Sequence, residues 1–164
     1  MKKLVESHGF RVHLYTDDTQ VYGFSSPSSA DQLQRRMSAC IDDVANWMSS
    51  NRLQLNASKT EIMWCTSHWR QSQLPTSAFR VCNDHVTPST TVRDLGIYLD
   101  SDVSMRSHVS RTVSQCFGIL RQLRTIRRSL SRSVFQSLVA ALVLTKLDFG
   151  NATLAGIQSF QLKN

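Results

Sequence analysis

His13-Leu-Tyr-Thr-Asp-Asp-Thr-Gln-Val-Tyr-Gly23 sets two adjacent carboxylates, Asp17 and Asp18, between two short runs of β-forming residues. Residues 10–15 alternate apolar and polar side chains, Thr16-Asp17-Asp18 interrupts them, and residues 19–24 resume with β-branched and aromatic types. That pattern predicts a hairpin with the carboxylates at its tip. On a plain strand two neighbours point to opposite faces, so only a tight turn brings both toward one site. Hard oxygen donors held that way suit divalent cations that serve phosphoryl transfer, Mg²⁺ or Mn²⁺ in particular. Asp-Asp pairs are common, and the chain holds a control of its own: Asp42-Asp43 is expected on the solvent side of a helix, without a role.

The rest of the chain supports a mixed fold. Residues 25–29 read as a loop, and Ser28 with Asp31 resembles a capping box opening a helix. Leu33, Met37, Cys40/Ile41, Val44 and Trp47/Met48 then follow the spacing of one buried helical face. Residues 53–55 and 60–65 read as strands around a turn at 56–59, and residues 66–78 as irregular. A short hairpin is expected over 79–87, turning at Asn83-Asp84, and a single strand over 95–99. Beyond Asp100 the period becomes helical: Val109, Val113, Cys116/Phe117, Leu120 and Leu123 form one helix, and Val134/Phe135, Leu138/Val139 and Leu142 a second. The class is α+β with an all-α tail.

Charge divides the chain more sharply than its total of +7 conveys. Residues 1–102 hold ten Lys/Arg against eleven Asp/Glu, whereas residues 103–147 hold seven Arg and one Lys with no acid at all. A segment so one-sided points to a polyanionic partner. Arg121, Arg124, Arg127 and Arg128 recur at intervals that would line one helix face toward phosphates, against the plainer reading of a solvated face. The N-terminus has no apolar stretch of the signal-peptide kind, and the longest apolar run, residues 138–144, is too short to span a bilayer. No membrane partner is expected. Four cysteines without a CxxC pair fit free thiols in a reducing compartment, nuclear or cytoplasmic.

Tyr15-Thr16-Asp17-Asp18 resembles the YxDD box of reverse transcriptases, and residues 19–22 extend it as in LINE-like, non-LTR retrotransposon enzymes. Further landmarks follow in order. His8-Gly9-Phe10 precedes the box, and Asn51-Arg-Leu-Gln-Leu-Asn56 with Lys59-Thr60-Glu61 is similar to the family's LxLNxxKTE segment. Leu95-Gly-Ile-Tyr-Leu-Asp100 is similar to LGxxLD, and residues 141–143, 147–152 and 154–156 resemble the thumb region.

The resemblance implies the C-terminal part of a polymerase palm over residues 1–102 and an incomplete basic helical thumb over 103–164. It implies RNA-directed DNA polymerisation: nucleotidyl transfer from a dNTP to a DNA primer on an RNA template. Asp17 and Asp18 would hold the metal, and Lys59 would act near the pyrophosphate as charge partner or proton donor. Tyr15 would lie near the primer end, Leu95 and Gly96 in a hairpin that grips the primer, and the four arginines along the template–primer backbone. Thr16 departs from the Ala, Met or Val usual there; being close to Val in size, it is expected to be tolerated. A third carboxylate and the nucleotide-holding segment would lie upstream of this chain, together with the fingers, so the expectation is a protein inactive alone. A non-catalytic nucleic-acid-binding remnant is the alternative.

One other constellation competes. Cys65-x-x-His68 and Cys82-x-x-His85 have the spacing of a structural zinc site, with coincidence as the plainer reading. Of the three tryptophans, Trp47 is expected in the core, and Trp69 is the one suited to stacking on a base.

Overall fold

The computed structural model describes residues 1–151, apart from the side chain of His68; the thumb-like residues 152 and 154–156 lie outside the described ones. The chain divides into two compact units, Met1–Thr90 and a second beginning at Thr91. The first contains α1 (Lys2–Ser7), the hairpin β1 (Arg11–Tyr15) and β2 (Asp18–Tyr22), α2 (Ala30–Ser50), and the hairpin β3 (Phe79–Val81) and β4 (Asp84–Val86). The second contains the hairpin β5 (Thr91–Asp94) and β6 (Ile97–Asp100), then α3 (Arg106–Ile126) and α4 (Arg132–Val139), the latter running through a π-turn at Ala140–Leu144 into α5 (Thr145–Asp148). The class is α+β, with the described strands in three separate antiparallel pairs. No helix among the described residues is long and apolar enough to cross a membrane.

The first unit is organised by α2. Its buried residues Leu33, Cys40 and Val44 recur at helical spacing and meet Val5 of α1 and Phe10. Val12 and Val21 of the first hairpin pack against this cluster. Full burial of an apolar side chain is worth on the order of 2 kcal/mol, and the half-buried Val12 and Val21 contribute part of that toward holding the hairpin on the helix. The expected capping box does not form. Ser28 lies within a 3₁₀ turn, Pro27–Ser29, where its hydroxyl pairs with that of Ser26 at 2.8 Å. Asp31 still sits in the first turn of α2, where its charge favours the helix dipole.

Asp42 and Asp43 correct the expectation of an idle pair. Asp43 Oδ2 lies 2.8 Å from His8 Nε2, and Asp42 forms an ion pair with Arg80. One carboxylate thus ties the end of α1 to α2, and the other ties β3 to the same helix.

The segments 53–55 and 60–65, expected as strands, join no ladder among the described residues, although the Ile62 carbonyl accepts the Ser89 N–H at 2.7 Å. Asn56 is the reason: its carbonyl accepts the Thr60 hydroxyl at 2.9 Å and its side chain the Ser58 hydroxyl at 2.7 Å, which coils Ala57–Lys59 into a 3₁₀ turn. Residues expected to be irregular include a further 3₁₀ turn, His68–Gln73. The β3–β4 hairpin turns at Cys82-Asn83, one residue earlier than expected, with Cys82 at φ 56°. The expected strand over 95–99 is a hairpin instead: Leu95 and Gly96, at φ 45° and 88°, form its two-residue turn. Positive φ at both positions matches a type I′ turn, which splits LGIYLD into a bend and a strand.

The start of α3 is held from outside the helix. Met105 at the N-cap is buried, left-handed (φ 58°) and without a capping side-chain bond. Asp100 at the end of β6 takes that role, its Oδ2 accepting the Ser107 N–H at 3.0 Å and the Ser104 hydroxyl at 3.3 Å, while Thr91 donates to Oδ1 at 3.0 Å. Burial alone would push its carboxyl upward; the hydrogen bonds from Ser107, Thr91 and Ser104 outweigh it and leave the group below the ordinary aspartate value.

Candidate functional site

The β1–β2 ladder pairs Val12 with Val21, Leu14 with Thr19, and Tyr15 with Asp18. Since Val12 and Val21 face the core, the two-residue period puts Tyr15 and Asp18 side by side on the opposite face. Thr16 and Asp17 remain as a two-residue loop, and Thr16 has φ 55°. A positive φ at the first loop position is the type II′ pattern, which glycine fills without strain. A β-branched residue there costs on the order of 1–2 kcal/mol. A tight two-residue turn is therefore present next to both carboxylates, and its backbone is strained. Asp17, Asp18 and Tyr15 are all exposed.

Both carboxylates line a cleft of about 860 Å³ in the first unit, whose lining includes Cys40 and Trp64. Lys59, Thr60 and Glu61 line the same cleft. Asp17, Asp18 and Lys59, far apart in sequence, thus meet at one cavity because the Asn56-centred turn carries Lys59 to it. The Trp64 ring packs on Phe79 at 5.7 Å, and its Nε1 is buried without a hydrogen-bond partner. That orphaned donor, in the lining of the cleft, was not visible in the sequence.

The donor set fits a hard cation in part. Mg²⁺ and Mn²⁺ take one or two carboxylates and fill the remaining positions with water and substrate phosphates, which Asp17 and Asp18 suit. Among the described residues, no three His, Cys, Asp or Glu side chains gather closely enough to hold a metal ion. That applies equally to Cys65, Cys82 and His85, which do not assemble the zinc site their spacing allowed; the His68 side chain lies outside the described ones. Desolvation also raises the Cys65 thiol, which works against the thiolate that zinc requires. All four cysteines are free thiols.

The other sequence-predicted residues lie in the second unit. Leu95 and Gly96 form the β5–β6 turn, where a Cβ on Gly96 would meet the Phe149 ring at 3.1 Å. Arg121 and Arg124 are exposed on the last turns of α3, but Arg127 and Arg128 fall in the 3₁₀ turn Arg127–Ser129. The four do not form one helical face, because α3 ends at Ile126. Arg127 stacks over Phe135 at 5.7 Å. In the first unit, Trp69 is 87 % exposed, while Trp47 is half-buried rather than part of the core. Compared with known proteins, the chain matches no family model, no curated protein and no solved structure.

Proposed function

We propose that this chain is the carboxylate-bearing palm portion and basic thumb segment of an RNA-directed DNA polymerase of the LINE-like, non-LTR kind. The observation that supports this most is the strained two-residue turn that presents Asp17 and Asp18 to a cleft shared with Lys59. Asp17 and Asp18 would hold the divalent ion, Mg²⁺ or Mn²⁺. When bound, such an ion supplies Lewis acidity toward the primer hydroxyl and the transferred phosphate. Lys59 brings a compact positive charge to the same cleft, suited to the triphosphate of an incoming dNTP. Tyr15 offers an exposed ring beside Asp18 for the terminal base of the primer. The arginines of residues 103–147 neutralise backbone phosphates without reading sequence. Glu61, on the same cleft, is a third carboxylate within the site's lining.

Mn²⁺ tests this directly. Paramagnetic broadening of amide signals should centre on Asp17 and Asp18 and vanish in the Asp17→Asn/Asp18→Asn double variant, with oligonucleotide binding retained. Broadening that survives the double substitution overturns the reading. A second reading, a non-catalytic nucleic-acid-binding module, is favoured by the acid-free segment 103–147. It predicts oligonucleotide binding without site-specific Mn²⁺ broadening. In any longer polypeptide that extends a primer, Asp17→Asn should abolish extension under the first reading and leave it intact under the second.

A further inference from the structure

Helix α3 carries more apolar surface than its own packing covers. His108, Cys116 and Leu123 are buried and form the inward face of the helix. Val109, Val113, Phe117 and Leu120 stand beside that face at intervals of four, four and three residues, which stacks them into one stripe. All four are exposed, Phe117 at 64 % and the two valines at 41 %. From Val109 to Leu120 the helical rise makes the stripe about 16 Å long.

The stripe has a basic margin. Arg106 lies three residues before Val109, and Arg121 and Arg124 lie four residues after Phe117 and Leu120, so each arginine neighbours a stripe residue on the helix surface. All three arginines are exposed, and residues 103–147 contain no acid.

Those two properties select the occupant. A polynucleotide satisfies arginines through its phosphates but offers the aliphatic Val109, Val113 and Leu120 no apolar face to replace water. A second copy of this chain brings the same stripe with the same margin, so a symmetric pairing of the two sets arginine near arginine. A helix with one apolar face bordered by Glu or Asp answers both properties. Its side chains cover the stripe by ridge-into-groove packing, and its carboxylates meet the guanidinium groups at the rim.

We infer that the Val109–Leu120 stripe of α3 is the docking surface for an acidic amphipathic helix of a partner protein. Phe117, the largest and most exposed of the four, is the anchor, since an aromatic ring buries the most area on contact. The arginines at the rim set orientation and association rate more than affinity. The surface stands independently of the proposed polymerase reading. Under that reading Arg121 and Arg124 also meet a nucleic-acid backbone, so the two ligands compete.

The test uses the full chain and a synthetic fluorescein-labelled peptide of about 15 residues, with leucines on one helical face and glutamates along its margins, followed by fluorescence anisotropy. The peptide should bind, and a scrambled peptide of identical composition should not. Val113→Ser/Phe117→Ser replaces exposed side chains and should weaken peptide binding by about tenfold or more. Its thermal midpoint and its affinity for a labelled oligonucleotide should stay as in the wild type. Arg121→Ala/Arg124→Ala should weaken both ligands. Equal binding of the scrambled peptide reduces the surface to bare charge and overturns the docking face, as does an absence of peptide binding. A fall in oligonucleotide affinity in the double serine variant assigns the stripe to nucleic acid. Dimerisation in sedimentation runs that the same variant abolishes assigns it to a second copy, and abolished retention on phosphatidylserine vesicles assigns it to a lipid surface. Each of these three results overturns the partner helix, while Mn²⁺ broadening at Asp17 and Asp18 reports on the polymerase reading separately.

Discussion

Thr16 sits at φ 55°, where its branched Cβ crowds the backbone, at the apex of a turn whose next two residues are the carboxylates. Such strain persists only where the surroundings over-determine it, and it gathers at sites that use the geometry. Here the core contacts of Val12 and Val21 fix both strands, so the loop between Tyr15 and Asp18 has no slack. Replacing Thr16 by Gly removes on the order of 1–2 kcal/mol of steric penalty and loses roughly 0.5–1 kcal/mol to unfolded-chain entropy. The expected net is a stabilisation of about 0.5–1 kcal/mol, read as a higher urea midpoint. Val103, at φ 57° in the second unit, provides the comparison. Val103→Gly should stabilise similarly and leave Mn²⁺ affinity alone, whereas Thr16→Gly should weaken Mn²⁺ binding by loosening the turn. If both variants keep wild-type Mn²⁺ affinity, the strain has no part in the site. Thr16 matches Val in side-chain volume, but a volume comparison says nothing about φ. The required dihedral becomes visible only once Tyr15 and Asp18 are known to pair.

Helix α3 depends on a carboxylate that lies outside it. Asp100 satisfies the Ser107 N–H in the first turn and places negative charge at the positive end of the dipole. Its folded pKa is lowered, so its contribution is complete above the ordinary aspartate value and is lost as pH falls through the lower folded value. Asp100→Asn retains an acceptor oxygen but no charge. The variant should lose about 1 kcal/mol at pH 7 and show a flatter decline below about pH 4, measured as urea midpoints across the acid range. An acid decline as steep as that of the wild type would remove Asp100 from the account. Helices α2 and α3 were legible because each repeats its apolar positions over 21 residues. Helix α1 was not, since six residues cannot establish a period. Residues 53–65 misled for the opposite reason: they read as two strands around a turn, but Asn56 takes up the local hydrogen bonds and they join no ladder among the described residues. The carboxylates and Lys59 were legible through their motifs. The β5–β6 hairpin was not, because its turn at Leu95-Gly96 needs two successive positive-φ residues that a linear pattern does not encode.

Charge separates the molecule more strongly than any element boundary. Residues 1–102 are nearly balanced and residues 103–147 carry a net +8 without a counter-charge of their own. A folded segment in that state repels itself, and a polyanion that releases its counterions relieves the repulsion. The observed affinity for duplex should therefore fall linearly with log salt, with a slope near −0.9 per neutralised phosphate. Arg121, Arg124, Arg127 and Arg128 are all exposed, so none is committed to the interior. Replacing all four by Ala should make the slope shallower by about 3 units if three or four of them meet phosphates. Affinity should fall alike for unrelated sequences, because backbone contacts carry no sequence information. The Asp17→Asn variant should keep the wild-type slope in the absence of divalent cations, since its effect is confined to the cleft of the other unit. A slope unchanged by the four-arginine variant would mean that these residues only solvate the helix end and would overturn their role as phosphate contacts.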